Sequence, residues 1–147
     1  MKVCLVCSHG GHLTEMLYLM EAFEEHDVFF ITYDSLRTRS LEYKKYLLKN
    51  IGTNPIKMLI SFFKMVKIFL KEKPKIVIST GSEIAIPAFY VAKLLRIKTI
   101  FIESWCRVKS PSGTGKIVYH VSDLFLVQWP QLLNRYGKKA KYVGAVI

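Results

Sequence analysis

Short apolar segments alternate with longer helical patterns throughout this chain, and that alternation admits few folds. Segments 3–7, 28–33, 76–80, 99–102 and 124–128, with a fainter one at 141–143, are rich in Val, Ile, Leu and Phe. Each is nearly continuous in its hydrophobicity, the pattern of a strand covered on both faces. Between them, residues 13–24, 40–49, 55–71, 85–95, 115–120 and 131–136 carry helical patterns. Strand and helix in turn predict an α/β fold with a doubly wound, Rossmann-like parallel sheet, built by residues 1–147 as one domain. Such sheets bind ligands beyond the carboxyl ends of their strands, so function is expected in loops 8–11, 34–39, 81–83 and 103–116.

Composition supports a core and points to a partner class. Hydrophobic residues make up 51% of the 147 positions, enough to bury a sizeable interior. The formal charge is +11, from 22 Lys and Arg against 11 Asp and Glu. Between Tyr43 and Ser82 stand Lys44, Lys45, Lys49, Lys57, Lys64, Lys67, Lys71, Lys73 and Lys75 against the single acid Glu72. Apolar residues rather than base-reading groups surround these lysines, which favours an anionic membrane surface over nucleic acid. The three cysteines do not form a disulfide framework, and Cys4 and Cys7, three apart in a strand, point to opposite faces as core thiols. The first apolar run ends at Ser8-His9-Gly10-Gly11 and reads as a strand rather than a signal peptide. No uncharged apolar stretch reaches the roughly 18 residues a spanning helix needs.

The first loop, Ser8-His9-Gly10-Gly11-His12, leads into a helix whose free N–H groups and dipole favour a phosphate. His12, in the first turn, has the chemistry of a general base toward a sugar hydroxyl; a polar helix cap is the plainer alternative. A second strand-to-helix turn, Thr80-Gly81-Ser82-Glu83, can face the first across a crevice and share a pyrophosphate. Segment 99–108 ends a strand with Glu103, Ser104, Trp105 and Arg107. Glu103 can orient His12 or hold a sugar, and Arg107 can clamp a phosphate, or the two can form an ordinary surface pair.

Helix 55–71 opens with Asn54 as cap and Pro55 in its first turn. Lys57, Lys64, Lys67 and Lys71 form one stripe on an otherwise apolar helix. With Phe62, Phe63 and Phe69 this face suits the headgroup region of an anionic membrane; burial against the sheet is the alternative. The segment Tyr142-Val143-Gly144-Ala145-Val146-Ile147 is apolar for a terminus, and Tyr142, Val143, Val146 and Ile147 are candidates for a partner interface, a frayed end being the alternative.

Taken in order, Ser8-His9-Gly10-Gly11-His12 with Glu15-Met16, Gly81-Ser82 with Pro87, Ile102-Glu103-Ser104 with Cys106-Arg107-Val108, and Val127-Gln128-Trp129-Pro130 resemble one family. It is the acceptor-side, membrane-recruiting subunit of the bipartite N-acetylglucosaminyltransferase of dolichol-linked oligosaccharide assembly, with related bacterial capsule and exopolysaccharide subunits. The family is similar to the N-terminal half of GT-B glycosyltransferases. The resemblance implies a separate donor-binding subunit holding a UDP-sugar, a polyprenyl-linked acceptor, inversion at the transferred sugar, and neither metal nor cofactor. It matches Gly10, Gly11 and His12 to the first acceptor loop, Gly81 and Ser82 to the second, and Glu103 to the family's acid. The chain starts directly at its first strand, whereas the eukaryotic subunit carries an N-terminal membrane helix. Peripheral attachment at the cytoplasmic membrane face, through helix 55–71, is therefore expected. Two other readings are a non-catalytic recruiter of the donor subunit, and a dinucleotide-binding domain with Asp34 on the ribose.

Overall fold

The computed structural model describes residues 1–146. Seven parallel strands form one sheet: β1 (Lys2–Val6), β2 (Asp27–Tyr33), β3 (Lys44–Leu48), β4 (Ile76–Ser79), β5 (Lys98–Ile102), β6 (Leu124–Val127) and β7 (Ala140–Tyr142). Their spatial order is β3-β2-β1-β4-β5-β6-β7, with Val3 opposite both Val28 and Ile76. The order reverses between β1 and β4, which opens a crevice at their carboxyl ends. The expected doubly wound α/β fold is the observed one.

The helices are α1 (Gly11–Tyr18), α2 (Leu36–Arg39), α3 (Pro55–Glu72), α4 (Ala85–Leu94), α5 (Gly113–Val118) and α6 (Leu133–Tyr136). Short 3-10 turns at Met20–Phe23, Tyr119–Val121 and Pro130–Leu132 complete or introduce three of the predicted helices. The core has two layers, one per sheet face. Leu13 and Met16 of α1 pack with Val3, Leu5, Cys7 and Phe30, while Met65, Phe69, Phe89 and Val118 pack with Cys4, Val6, Phe29 and Phe101 on the other face. Cys4 and Cys7 thus fall on opposite faces, both buried, and burial raises both thiols, Cys7 to about 12. Neither is a ready nucleophile.

One predicted helix is a strand. Residues 40–49 were expected to be helical, yet Lys44–Leu48 pairs with β2 as the sheet's edge. At an edge the outer backbone groups face solvent and only one side needs apolar cover, so lysines are admitted and the strand's signature is blurred. The short α2 before it is set by a capping box between Ser35 and Thr38.

Helix α3 follows its predicted start. Asn54 Oδ1 accepts from the N–H groups of Ile56 (2.9 Å) and Lys57 (3.2 Å), and Lys73 in left-handed conformation ends the helix. Its outward face differs from the expected one. Phe69 is 1% exposed and Phe62 packs partly into the core, so neither belongs to a membrane face. The exposed apolar residues are Ile56, Leu59, Ile60, Phe63 and Leu70. At 100° per residue these lie within one stripe that includes Lys67, with Lys57, Lys64 and Lys71 along one flank. No helix among the described residues is long and apolar enough to cross a membrane.

Candidate active site

The carboxyl ends of β1, β4 and β5 surround a cleft of about 590 Å³ lined by Gly11, His12, Thr14, Glu15, Ser82, Glu83, Ser104 to Arg107 and Ser112 to Thr114. Of the sequence candidates, Gly11, His12, Ser82, Ser104 and Arg107 line it directly. Gly10 and Gly81 lie one residue behind the lining.

His12 is held from below. Its Nδ1 lies 2.9 Å from the Thr80 carbonyl oxygen, while Thr80 Oγ1 donates to the His12 carbonyl at 2.6 Å. A carbonyl only accepts, so Nδ1 carries the proton and the neutral ring keeps its lone pair on Nε2. Gly81 is required by this packing. Its φ is +125°, and a Cβ there would come within 2.7 Å of His12 Nδ1. Ser82 follows with φ +78°, strained for a residue with a side chain, and its hydroxyl donates to Glu83 Oε2 at 2.7 Å.

The first loop is open for a different reason than the second. Gly10 and Gly11 do not have positive φ, and a Cβ on either would meet nothing within 4 Å. Their small size leaves space beside the start of α1, whose N-terminus has no side-chain cap. That end suits an anion. Arg37, from the loop expected to line the crevice, instead buttresses α1: it donates to the Gly10 carbonyl (3.1 Å) and Thr14 Oγ1 (2.9 Å).

Glu103 does not orient His12. It is 1% exposed, and its carboxylate accepts from the Ser104 and Ser112 N–H groups, Ser112 Oγ and Tyr136 Oη. It anchors the start of α5, where a Cβ on Gly115 would collide with Glu103 Oε2 and Tyr136 Oη. Nor is it ion-paired with the exposed Arg107 among the described residues. The carboxylate beside His12 is Glu15, whose Oε2 lies 4.0 Å from Nδ1. Glu15 is 4% exposed and accepts from Trp105 N (2.8 Å), Gln128 Nε2 (2.7 Å) and Ser104 Oγ (3.3 Å). A carboxylate between Leu13 and Met16, on the buried face of an amphipathic helix, was the available signal for it.

Glu83 contributes a second cleft carboxylate. Burial would raise its pKa, but hydrogen bonds from Ser82, its own backbone, and Tyr33 Oη (3.0 Å) bring it below the ordinary value. Carboxylates of this kind suit sugar hydroxyls, while the α1 terminus and Arg107 offer the positive character a phosphate needs. Asp34 is taken by Arg39, at 2.6 and 2.9 Å, which occupies the carboxylate a dinucleotide reading requires. Among the described residues, no three His, Cys, Asp or Glu side chains converge as a metal site.

Of the predicted partner surface, Tyr142 and Val143 are exposed. Val146 instead packs on the α1-side core and donates its N–H to Gln128 Oε1 at 2.8 Å. Ile147 lies outside the described residues.

Residues 37–146 match the family model described as "Oligosaccharide biosynthesis protein Alg14 like". The chain belongs to this family. Among curated relatives of this Alg14-like chain, the mouse UDP-N-acetylglucosamine transferase subunit ALG14 is 27% identical over 182 residues, covering 100% of this chain and 83% of that protein. The fission yeast (Schizosaccharomyces pombe) subunit is 49% identical over 59 residues, covering 39% of this chain and 28% of its own. Among solved structures, MurG of Acinetobacter baumannii superimposes with a TM-score of 0.82 at 17% identity, covering 99% of this chain and 45% of MurG. The UDP-N-acetylglucosamine 2-epimerase of Rickettsia bellii gives 0.79 at 14% identity, again over 99% and 45%. The fold of the Alg14-like chain is therefore that of a GT-B N-terminal domain, and it spans less than half of these enzymes.

Proposed function

We propose that residues 1–147 form the acceptor-binding domain of a two-component inverting glycosyltransferase. The cleft binds a polyprenyl-(pyro)phosphate-linked sugar at the cytoplasmic membrane face, and a separate subunit recruited to this chain binds the UDP-sugar. The relatives' names favour UDP-N-acetylglucosamine as donor.

The observation that carries this reading is His12, fixed by Thr80 with its Nε2 unprotonated in the neutral ring. An acceptor hydroxyl attacks the anomeric carbon of the donor sugar from the face opposite the leaving group. The C–O bond to UDP breaks, the new glycosidic bond forms, and the hydroxyl proton passes to His12 Nε2. Glu15 steadies the imidazolium so formed. Gly10, Gly11, Gly81 and Ser82 leave backbone room for the acceptor phosphates, which the α1 terminus and Arg107 offset in charge. Glu103 acts at one remove, holding α5 against the cleft.

The α3 stripe supports peripheral attachment, with apolar residues entering the headgroup region and each flanking lysine adding about 1 kcal/mol on an anionic surface. Phe63→Glu is expected to reduce flotation with anionic vesicles about tenfold, and unchanged flotation would remove α3 from the membrane contact. The same stripe favours a second reading, a recruiter without catalytic residues.

The deciding experiment is sugar transfer from radiolabelled UDP-N-acetylglucosamine to a polyprenyl-pyrophosphate-linked sugar in vesicles, with this chain, a candidate donor subunit, or both. Transfer only with both is expected. Transfer by this chain alone overturns the two-component reading, and normal turnover by the donor subunit alone on a soluble acceptor makes this chain a recruiter.

A further inference from the structure

Gln128 is 3% exposed and lies where three segments far apart in sequence meet. Its Nε2 donates to Glu15 Oε1 (2.7 Å) and to the Glu103 carbonyl (3.0 Å), and its Oε1 accepts from the Val146 N–H (2.8 Å). Only one amide orientation satisfies all three, because a carboxylate and a carbonyl require a donor and an N–H requires an acceptor. The Val146 N–H therefore holds the amide so that its NH₂ group is aimed at Glu15.

We propose that Glu15 and Gln128 are positioning residues for His12, and that Gln128 couples them to the backbone of the chain's last segment. The proposal rests on His12 being the base, and it adds how that base is set. Glu15 takes its hydrogen bonds from a backbone N–H, a primary amide and a hydroxyl, all neutral, so its negative charge stays 4.0 Å from His12 Nδ1. Such a carboxylate stabilises the imidazolium that appears when the base takes a proton, provided it stays in place. Its place depends on Gln128, and Gln128 depends on Val146. Segment 144–146 directly follows the exposed Tyr142 and Val143, so whatever engages that surface acts on the same backbone that holds the amide. The link is short: Val146 N–H, the Gln128 amide, Glu15, His12.

The backbone N–H of Trp105 ends on Glu15 Oε1 and reports directly on whether Glu15 is in place. In the full chain without partner or substrate, its hydrogen exchange is expected to be about tenfold faster in Gln128→Leu and in Val146→Pro, which removes the Val146 N–H. Val146→Ala, which keeps the N–H, is expected to exchange Trp105 at the wild-type rate. In the reconstituted pair, Gln128→Leu is expected to lower kcat about tenfold with KM for the acceptor unchanged. The double variant is expected to lose no more than the worse single, because both changes cut one chain. Wild-type exchange at Trp105 in Val146→Pro would sever the last segment from the site. A raised KM with intact kcat in Gln128→Leu would make that residue a binding element instead. An inactive wild-type pair counts against the transferase reading alone, since the exchange measurement needs neither partner nor substrate.

Discussion

The two rims of the sheet, at the amino and carboxyl ends of its strands, treat buried carboxylates in opposite ways. At the amino rim, Glu72 closes α3 against the strands by accepting from Lys2 Nζ (3.1 Å), Lys44 Nζ (2.8 Å) and Tyr46 Oη. Its carboxyl is brought down to about 2, first by the Lys44 and Tyr46 hydrogen bonds. At the carboxyl rim, Glu15 and Glu103 are as buried, yet every hydrogen-bond donor they receive is neutral. Tyr136, pushed well above the ordinary phenol range by burial and by Glu103, remains a donor rather than a competing charge. A chain with 22 Lys and Arg does not lack cations. Cancelled charge at one rim is a mechanical clip. Retained charge at the other costs stability, and of the two carboxylates that keep it Glu15 lines the cleft while Glu103 braces α5 behind it.

The contrast breaks most sharply at His12 and Glu15. His12→Ala and Glu15→Ala are each expected to lower kcat of the reconstituted pair about a thousandfold with the fold intact by circular dichroism. Activity in both variants would end the base assignment. Glu103→Ala is next, with a loss of about 3 kcal/mol in chemical denaturation, because the buried Ser104 N–H and the part-buried Ser112 N–H and Tyr136 Oη lose their shared acceptor. A fall in kcat as large as that of Glu15→Ala, without loss of stability, would instead place Glu103 on the substrate.

Gly81→Ala sharpens the geometry of the site. The added methyl must displace His12 and adopt a positive φ, so kcat is expected to fall about tenfold. A fully active variant would show that the ring position over Thr80 is not the productive one. The smallest effect belongs to the clip. Glu72 has a folded pKa below its unfolded one, so its stabilisation is complete above about 4.5 and is lost as pH falls toward about 2. Its lysine partners are open to solvent, and that screening reduces the loss to about 1 kcal/mol. Glu72→Gln is expected to flatten the stability profile in that window and nowhere else.

The fold was legible because central strands of a parallel sheet are apolar on both faces, and β1, β2, β4, β5 and β6 all carry that mark. The edge strand β3 does not, since Lys44 and Lys45 satisfy an exposed edge as well as a helix surface. At the site, the glycine loops and His12 were visible as local motifs with local chemistry. Glu15 stood in the same motif, but its role depends on Trp105 and Gln128, 90 and 113 positions away. Only strand order brings these together. Glu103 was misassigned for a more local reason: Ser112, nine positions on, and Tyr136 take up its carboxylate. On α3, composition marked the helix as amphipathic but not its rotation, so Phe69 was assigned to the surface it faces away from.

Strand β1 lies at the middle of the sheet although it precedes the other six strands in sequence. Its flank opposite β2 stays unpaired until Ile76–Ser79 has emerged, so a growing chain carries an open, apolar, four-residue template until then. Any extended apolar peptide can occupy that slot in the interval. The final register of Val3 against Ile76 closes a loop of more than seventy residues, a slow step by loop-closure entropy, and completes the floor beneath both glycine turns in the same event. The floor beneath the two glycine turns is thus timed by the arrival of β4, and the cleft cannot be completed on a chain whose centre is still open.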